Sequence, residues 1–110
     1  MMRPNKKKKL EAAGWRVGNT KDFLGLSTHE EKYIELKLAL AKKFRALRIK
    51  RHLGQTQVAE LIESSQSRVA KMESGDSSVS VDRIIRAFFA IGGTASDLGR
   101  TISKSHQPSA

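Results

Sequence analysis

Residues 55–75 read QTQVAELIESSQSRVAKMESG, and the order of apolar and polar positions in this stretch decides the fold. Val58, Ala59, Leu61 and Ile62 form one apolar-periodic run, Glu63-Ser64-Ser65 breaks it with polar residues, and Val69, Ala70 and Met72 form a second run. Ser74-Gly75-Asp76 then closes the segment with turn-forming residues. The spacing predicts two helices of about two turns each, crossing at a sharp turn between Gln55 and Ser74. Val58, Ile62, Val69 and Met72 are expected to pack between this pair and a longer preceding helix. Ala59 must be small where the helices come closest.

The longer helix is predicted from Ser27-Thr28 to about His52. Either hydroxyl stands three residues before a glutamate, Glu30 or Glu31, the spacing of a capping box, and nothing before His52 breaks a helix. Tyr33, Leu36, Leu40, Phe44 and Leu47 recur at three- and four-residue steps, while Ile34, Leu38 and Ala41 widen the apolar face in the first half. A further helix fits Val81 to Ile91, with Ser80 as N-cap, Asp82 in the first turn, Val81, Ile84, Ile85, Phe88 and Ile91 inward, and Gly92-Gly93 as its stop. Phe89 cannot share the inward face of Phe88. Thr94 or Ser96 is placed to cap a last short helix containing Leu98 and Ile102. No alternating, strand-like run occurs, so the fold class is all-α with about five helices. Residues 28–102 form the domain, and residues 103–110 read as a loose, disordered tail.

Composition bounds the rest. The 110 residues suit one small domain. Lys and Arg number 21 against 11 Asp and Glu, a net charge of +10 that favours a polyanionic partner without specifying a fold. The chain has no cysteine, which rules out disulfides and thiolate metal sites and suits a reducing cytoplasm. No apolar run approaches a membrane span, and neither a metal-binding cluster, a phosphate-cradling glycine loop nor a nucleophile elbow is present. No catalytic residue, metal site, cofactor or membrane partner is therefore expected.

The N-terminal residues 1–27 read as a basic tail and an arm. MMRPNKKKK is a charge run that buries nothing, either a solvated tail or an arm for DNA phosphates. Leu10 to Ser27 places Trp15, Val17, Phe23, Leu24 and Leu26 among glycines without a sustained period, as expected of a segment that docks on its own core, a dimer mate or a partner protein. Lys42 to Arg51, KKFRALRIKR, carries six basic residues, read either as a solvated face or as a row of phosphate contacts.

QTQVAELIESSQSRVAKMESG resembles the helix-turn-helix of the Cro and phage-repressor (XRE) family, and the likeness extends over roughly Glu31 to Gly99. It departs from the usual pattern at Gly54, where Thr or Ser commonly caps, and at Glu63, where Gly commonly turns the chain. The resemblance implies a cytoplasmic, nucleoid-associated regulator whose second motif helix lies in the major groove of double-stranded DNA. It implies base reading by Gln66, Ser67, Ala70 and Lys71, with Ser65 as cap. It also implies that Gln55 meets a phosphate and buttresses Gln66, and that Glu73 pairs with an arginine of the preceding helix, here Arg48. Arg68, Lys50 and Arg51 are the further phosphate or buttress candidates. Glutamine carries the paired donor and acceptor that match adenine's major-groove edge, so an A·T pair is expected under Gln66.

Regulators of this type work as two-fold dimers on palindromic half-sites, and two surfaces compete for the homodimer contact. One surrounds Phe88, Phe89, Ile91 and Leu98; the other runs from Trp15 to Leu40. The stretches FLGLSTHEEKYIELKLAL and SVSVDRIIRAFFAIGG further resemble HigA-like antitoxins, autorepressors that restrain a RelE/HigB-like toxin protein. That likeness implies a second possible role for Leu10 to Leu26, toxin neutralisation, beside the role of a plain repressor.

Overall fold

The computed structural model describes residues 28–105. The N-terminal tail and arm, the Ser27 cap candidate and residues 106–110 lie outside the described residues. Among the described residues five helices follow one another: α1 (Thr28–Lys50), α2 (Gln55–Leu61), α3 (Gln66–Ser74), α4 (Val81–Ala90) and α5 (Ala95–Ser105). Among the described residues there is no strand, in agreement with the all-α reading.

Helix α1 carries Glu30 and Glu31 in its first turn and Arg48 and Lys50 in its last, each favourable to the helix dipole. The other helices are built around it. Leu40, Ala41 and Phe44 of α1 meet Val58 and Ala59 of α2, Val69 and Met72 of α3, and Ile84, Ala87, Phe88 and Ile91 around α4 in a single core. Ile62 packs at its edge, completing the expected set of Val58, Ile62, Val69 and Met72. Helix α5 has no fully buried residue and lies on the domain through the half-buried Leu98 and Ile102.

Four consecutive helices end the same way. At His52, Glu63, Gly75 and Gly92 the chain turns into the left-handed region, with φ of 57°, 54°, 66° and 96°. The next amide in each case reaches back five residues: Leu53 to Arg48, Ser64 to Ala59, Asp76 to Lys71 and Gly93 to Phe88, at 2.8–3.1 Å. This Schellman arrangement satisfies carbonyls that a helix end otherwise strands. Glycine accepts the conformation freely, whereas His52 and Glu63 carry a cost of about 1–2 kcal/mol each that the packed helices offset. The helix starts are fixed by side chains where the sequence predicts them: Ser65, Ser80 and Thr94 accept from the amides of Arg68, Arg83 and Asp97 at 3.1–3.2 Å. Gly54 has no side chain to offer α2, and its amide instead donates to Gln57 Oε1 at 2.7 Å.

Several expectations need correction. α1 stops at Lys50, two residues short of His52, because the turn there is made by a histidine in a glycine-like conformation. Its buried stripe is Ile34, Lys37, Leu40, Ala41 and Phe44, so Tyr33 lies outward, exposed, and Leu36 and Leu47 only flank the core. Lys37, a charged residue, is 1% exposed. Leu61 belongs to the apolar run of α2 yet faces solvent. α5 continues through Ser105, so residues 103–105 are helical and do not begin a loose tail. Of the C-terminal surface considered for a dimer, Phe88 and Ile91 are taken up by the domain's own core, while Phe89 remains 44% exposed.

Gly75 is held to glycine both by its backbone conformation and by the space around it. Besides its φ of +66°, an added Cβ would lie 2.8 Å from Leu38 Cδ2 and 3.6 Å from Ala41 Cβ. Gly75→Ala is therefore expected to destabilise the domain by at least about 1–2 kcal/mol, read as a lower urea midpoint with an unchanged slope.

Candidate nucleic-acid interface

The inward positions of α3 are Val69 and Met72, both fully buried against the core. Helical geometry then turns Ser67, Ala70 and Lys71 outward as one stripe, with Gln66 beside it on the edge facing the start of α2. Gln66, Ser67 and Lys71 are exposed and Ala70 is half-buried. Ala70 leaves the middle of the stripe low, so a surface approaching α3 meets backbone there and longer side chains on either flank.

Behind this stripe four side chains form a directed chain of hydrogen bonds. Glu73, its side chain 5% exposed, is held by the Arg48 guanidinium, whose Nε pairs with Oε2 and whose Nη2 donates to Oε1 at 3.1 Å. Arg48 Nη1 donates to the Leu53 carbonyl at 2.8 Å, tying the α1–α2 turn to the same arginine. Gln55 Nε2 donates to Glu73 Oε1 at 3.0 Å, and Gln66 Nε2 donates to Gln55 Oε1 at 2.6 Å. Arg45 adds a weaker charge contact, with Nε 3.8 Å from Glu73 Oε1.

The direction of this chain follows from its first member. A carboxylate only accepts, so Gln55 must turn its amide nitrogen toward Glu73 and its carbonyl toward Gln66. Gln66 must in turn present its nitrogen to that carbonyl. What remains on Gln66 is one N–H and the carbonyl oxygen, one donor and one acceptor on an immobilised amide. Such a pair matches the N7 acceptor and N6 donor of adenine.

The remaining candidates divide. Lys50 is exposed at the end of α1. Arg51, expected at a phosphate or as a buttress, donates to the Gly92 carbonyl at 3.2 Å and packs on Gly92, joining the α1–α2 turn to the α4–α5 turn. Ser65, Ser67, Arg68 and Lys71 share a recess of about 230 Å³ with Ser78 and Val79 of the α3–α4 loop. A larger hollow of about 420 Å³ lies between α4 and the α2–α3 turn, over Ile62, Met72, Arg83 and Arg86, and none of Gln66, Ser67, Ala70 and Lys71 lines it. Sequence reasoning missed Val79, which is buried, and Arg45, whose charge reaches Glu73 only because α1 and α3 cross.

The α3–α4 loop is shaped by Asp76. Its Oδ1 accepts from the Ser78 amide at 2.9 Å and from Ser78 Oγ at 2.6 Å. These bonds, aided by the charges of Lys71 and Lys37, hold the Asp76 carboxyl below the usual carboxylate range.

Residues 44–88 match a family model described as helix-turn-helix. No curated protein and no solved structure matches the chain. The matched segment begins in α1, contains α2 and α3 whole and ends in α4, so it encloses the hydrogen-bonded chain from Arg48 to Glu73. Over these residues, fewer than half of the chain, the protein is similar to helix-turn-helix domains.

The lowered Asp76 carboxyl sets a pH dependence. A folded-state pKa below the ordinary 3.8 stabilises the fold above that value, and the contribution is lost as pH falls through the lower folded pKa. Asp76→Asn is expected to melt below wild type at neutral pH. The two melting temperatures should converge as pH drops below 3.8, followed by circular dichroism.

Proposed function

We propose that this protein is a sequence-specific regulator of double-stranded DNA, a repressor acting as a homodimer on a palindromic operator. The observation that carries this reading is the chain Arg48–Glu73–Gln55–Gln66, which immobilises a glutamine amide on the outward edge of α3. Freezing an exposed glutamine costs side-chain entropy of up to about 2 kcal/mol, which has no use on a surface that only faces water. It is useful where a base edge must be met with fixed geometry.

In this reading α3 enters the major groove, with Gln66, Ser67, Ala70 and Lys71 toward base edges. Gln66 takes adenine through its free N–H and carbonyl, and the low surface at Ala70 accommodates a thymine methyl. Ser65, Arg68 and Lys50 meet phosphates, which set register and most of the salt dependence without carrying sequence information. Gln55 has its carbonyl and one N–H engaged within the protein, so its role is chiefly to hold Gln66. One helix of this length spans only a few base pairs, so specificity requires two copies about 34 Å apart on the duplex. Phe89, exposed beside the buried Phe88, supplies apolar surface for that contact.

Gln66→Ala is expected to lower affinity for the operator by about 1–3 kcal/mol and to relax preference at one base position per half-site. Gel shifts at fixed salt, with the sequence upstream of the protein's own gene as probe, provide the measurement. An unchanged base preference would contradict the reading face.

A further inference from the structure

The segment Lys42 to Arg51 carries six basic residues, and the fold engages two of its arginines internally. Arg48 gives its guanidinium to Glu73 and to the Leu53 carbonyl, and Arg51 donates to the Gly92 carbonyl. Arg45 is held differently. Its side chain is 61% exposed, and its Nε lies 3.8 Å from Glu73 Oε1, too far for a hydrogen bond. That oxygen already accepts from Arg48 Nη2 and Gln55 Nε2, at 3.1 and 3.0 Å. Glu73 therefore attracts Arg45 by charge without engaging its N–H donors, and Arg45 makes no hydrogen bond among the described residues. Its place follows from the way α1 and α3 cross. Leu38 and Ala41 lie against Gly75 at the end of α3, and Arg45 stands two turns and one turn further along the same face of α1. The guanidinium thus emerges beside α3, next to the carboxylate from which the amide chain runs to Gln66.

Two arginines against one glutamate leave a positive charge in excess at this point, and the excess lies on the exposed partner. A phosphate approaching that flank meets a planar guanidinium with free donors, the group best suited to grip two phosphate oxygens at once. Its capture asks for the loss of one long charge contact and of no hydrogen bond, so the bonds of Arg48 and Gln55 to Glu73 stay in place. We propose that the two arginines on Glu73 have separate tasks: Arg48 sets the direction of the amide chain, and Arg45, kept beside it by the same carboxylate, binds a phosphate of the DNA backbone. Arg45 contributes affinity and register, and base preference is left to Gln66. The inference rests on the DNA-binding reading above.

The test compares the full chain as wild type, Arg45→Ala, Arg45→Lys and Lys104→Ala, the last removing an exposed cation of α5 outside the proposed interface. Binding to a mixed-sequence duplex and to the duplex upstream of the protein's own gene is measured between about 50 and 200 mM salt. Base preference is read by selection from randomised duplexes, and folding by thermal melting. Arg45→Ala is expected to bind both duplexes about fivefold more weakly at low salt, with the slope of log affinity against log salt reduced by about one. Its base preference should match wild type, and its melting temperature should change little because Arg48 still holds Glu73. Arg45→Lys should keep the wild-type slope, since an ammonium neutralises one phosphate as a guanidinium does. A slope for Arg45→Ala no different from that of Lys104→Ala, in a protein whose wild type binds, overturns the phosphate contact and leaves the DNA-binding reading standing. An altered base preference in Arg45→Ala overturns the separation of tasks, because Arg45 would then act through Glu73. A wild type that binds neither duplex overturns the DNA-binding reading and the phosphate contact with it.

Discussion

Glu73 is the constraint on which the rest of the site depends. Its carboxylate lies between α1, α2 and α3 with its side chain 5% exposed, where an uncompensated charge would cost several kcal/mol. Arg48 removes that cost and in doing so joins the three helices, since the same guanidinium also holds the Leu53 carbonyl ahead of α2. Apolar packing brings the helices together without specifying their angular setting closely. A bidentate ion pair with two further hydrogen bonds does specify it, because each bond tolerates only a narrow range of distance and direction.

The same carboxylate reaches outward to function. It accepts from Gln55, Gln55 accepts from Gln66, and the orientation of an exposed amide is thereby set by a charge two residues removed in the chain of bonds. The proposed reading surface is built on buried helix faces: Val69 and Met72 anchor α3, Ser65 caps it, and Gly75 ends it against Leu38 and Ala41. Rigid support of this kind is what a recognition helix needs, since a displaced side chain loses the paired geometry that distinguishes one base from another.

Much of this was legible in the sequence. The two apolar runs around Glu63-Ser64-Ser65 gave α2 and α3, Ser80 and Thr94 announced helix starts, and Gly75 and Gly92 announced helix ends. Phe89 could be singled out because adjacent residues on a helix cannot face the same way. What escaped was of two kinds. His52 adopts a glycine's conformation without being glycine, so the end of α1 carried no local signal. Lys37 interrupts the buried stripe from Ile34 to Phe44, and a lysine there reads as the polar boundary of a helix face, which displaced the apparent face toward Tyr33. The contacts of Arg51 with Gly92 and of Arg45 with Glu73 are set by tertiary approach alone, across 41 residues in the case of Arg51 and Gly92. Spacing along the chain contains no trace of them.

The central claim is that the Glu73 charge fixes the direction of the amide chain and so the base that Gln66 selects. It is tested most directly by comparing the base preferences of wild type and Glu73→Gln on duplexes randomised across the operator half-site, with each protein confirmed folded by its helical circular dichroism. A glutamine at position 73 offers both a donor and an acceptor, so both orientations of Gln55 become available. The account predicts that the variant loses adenine preference at one position per half-site while the neighbouring positions keep theirs. An unchanged preference at every position would contradict it.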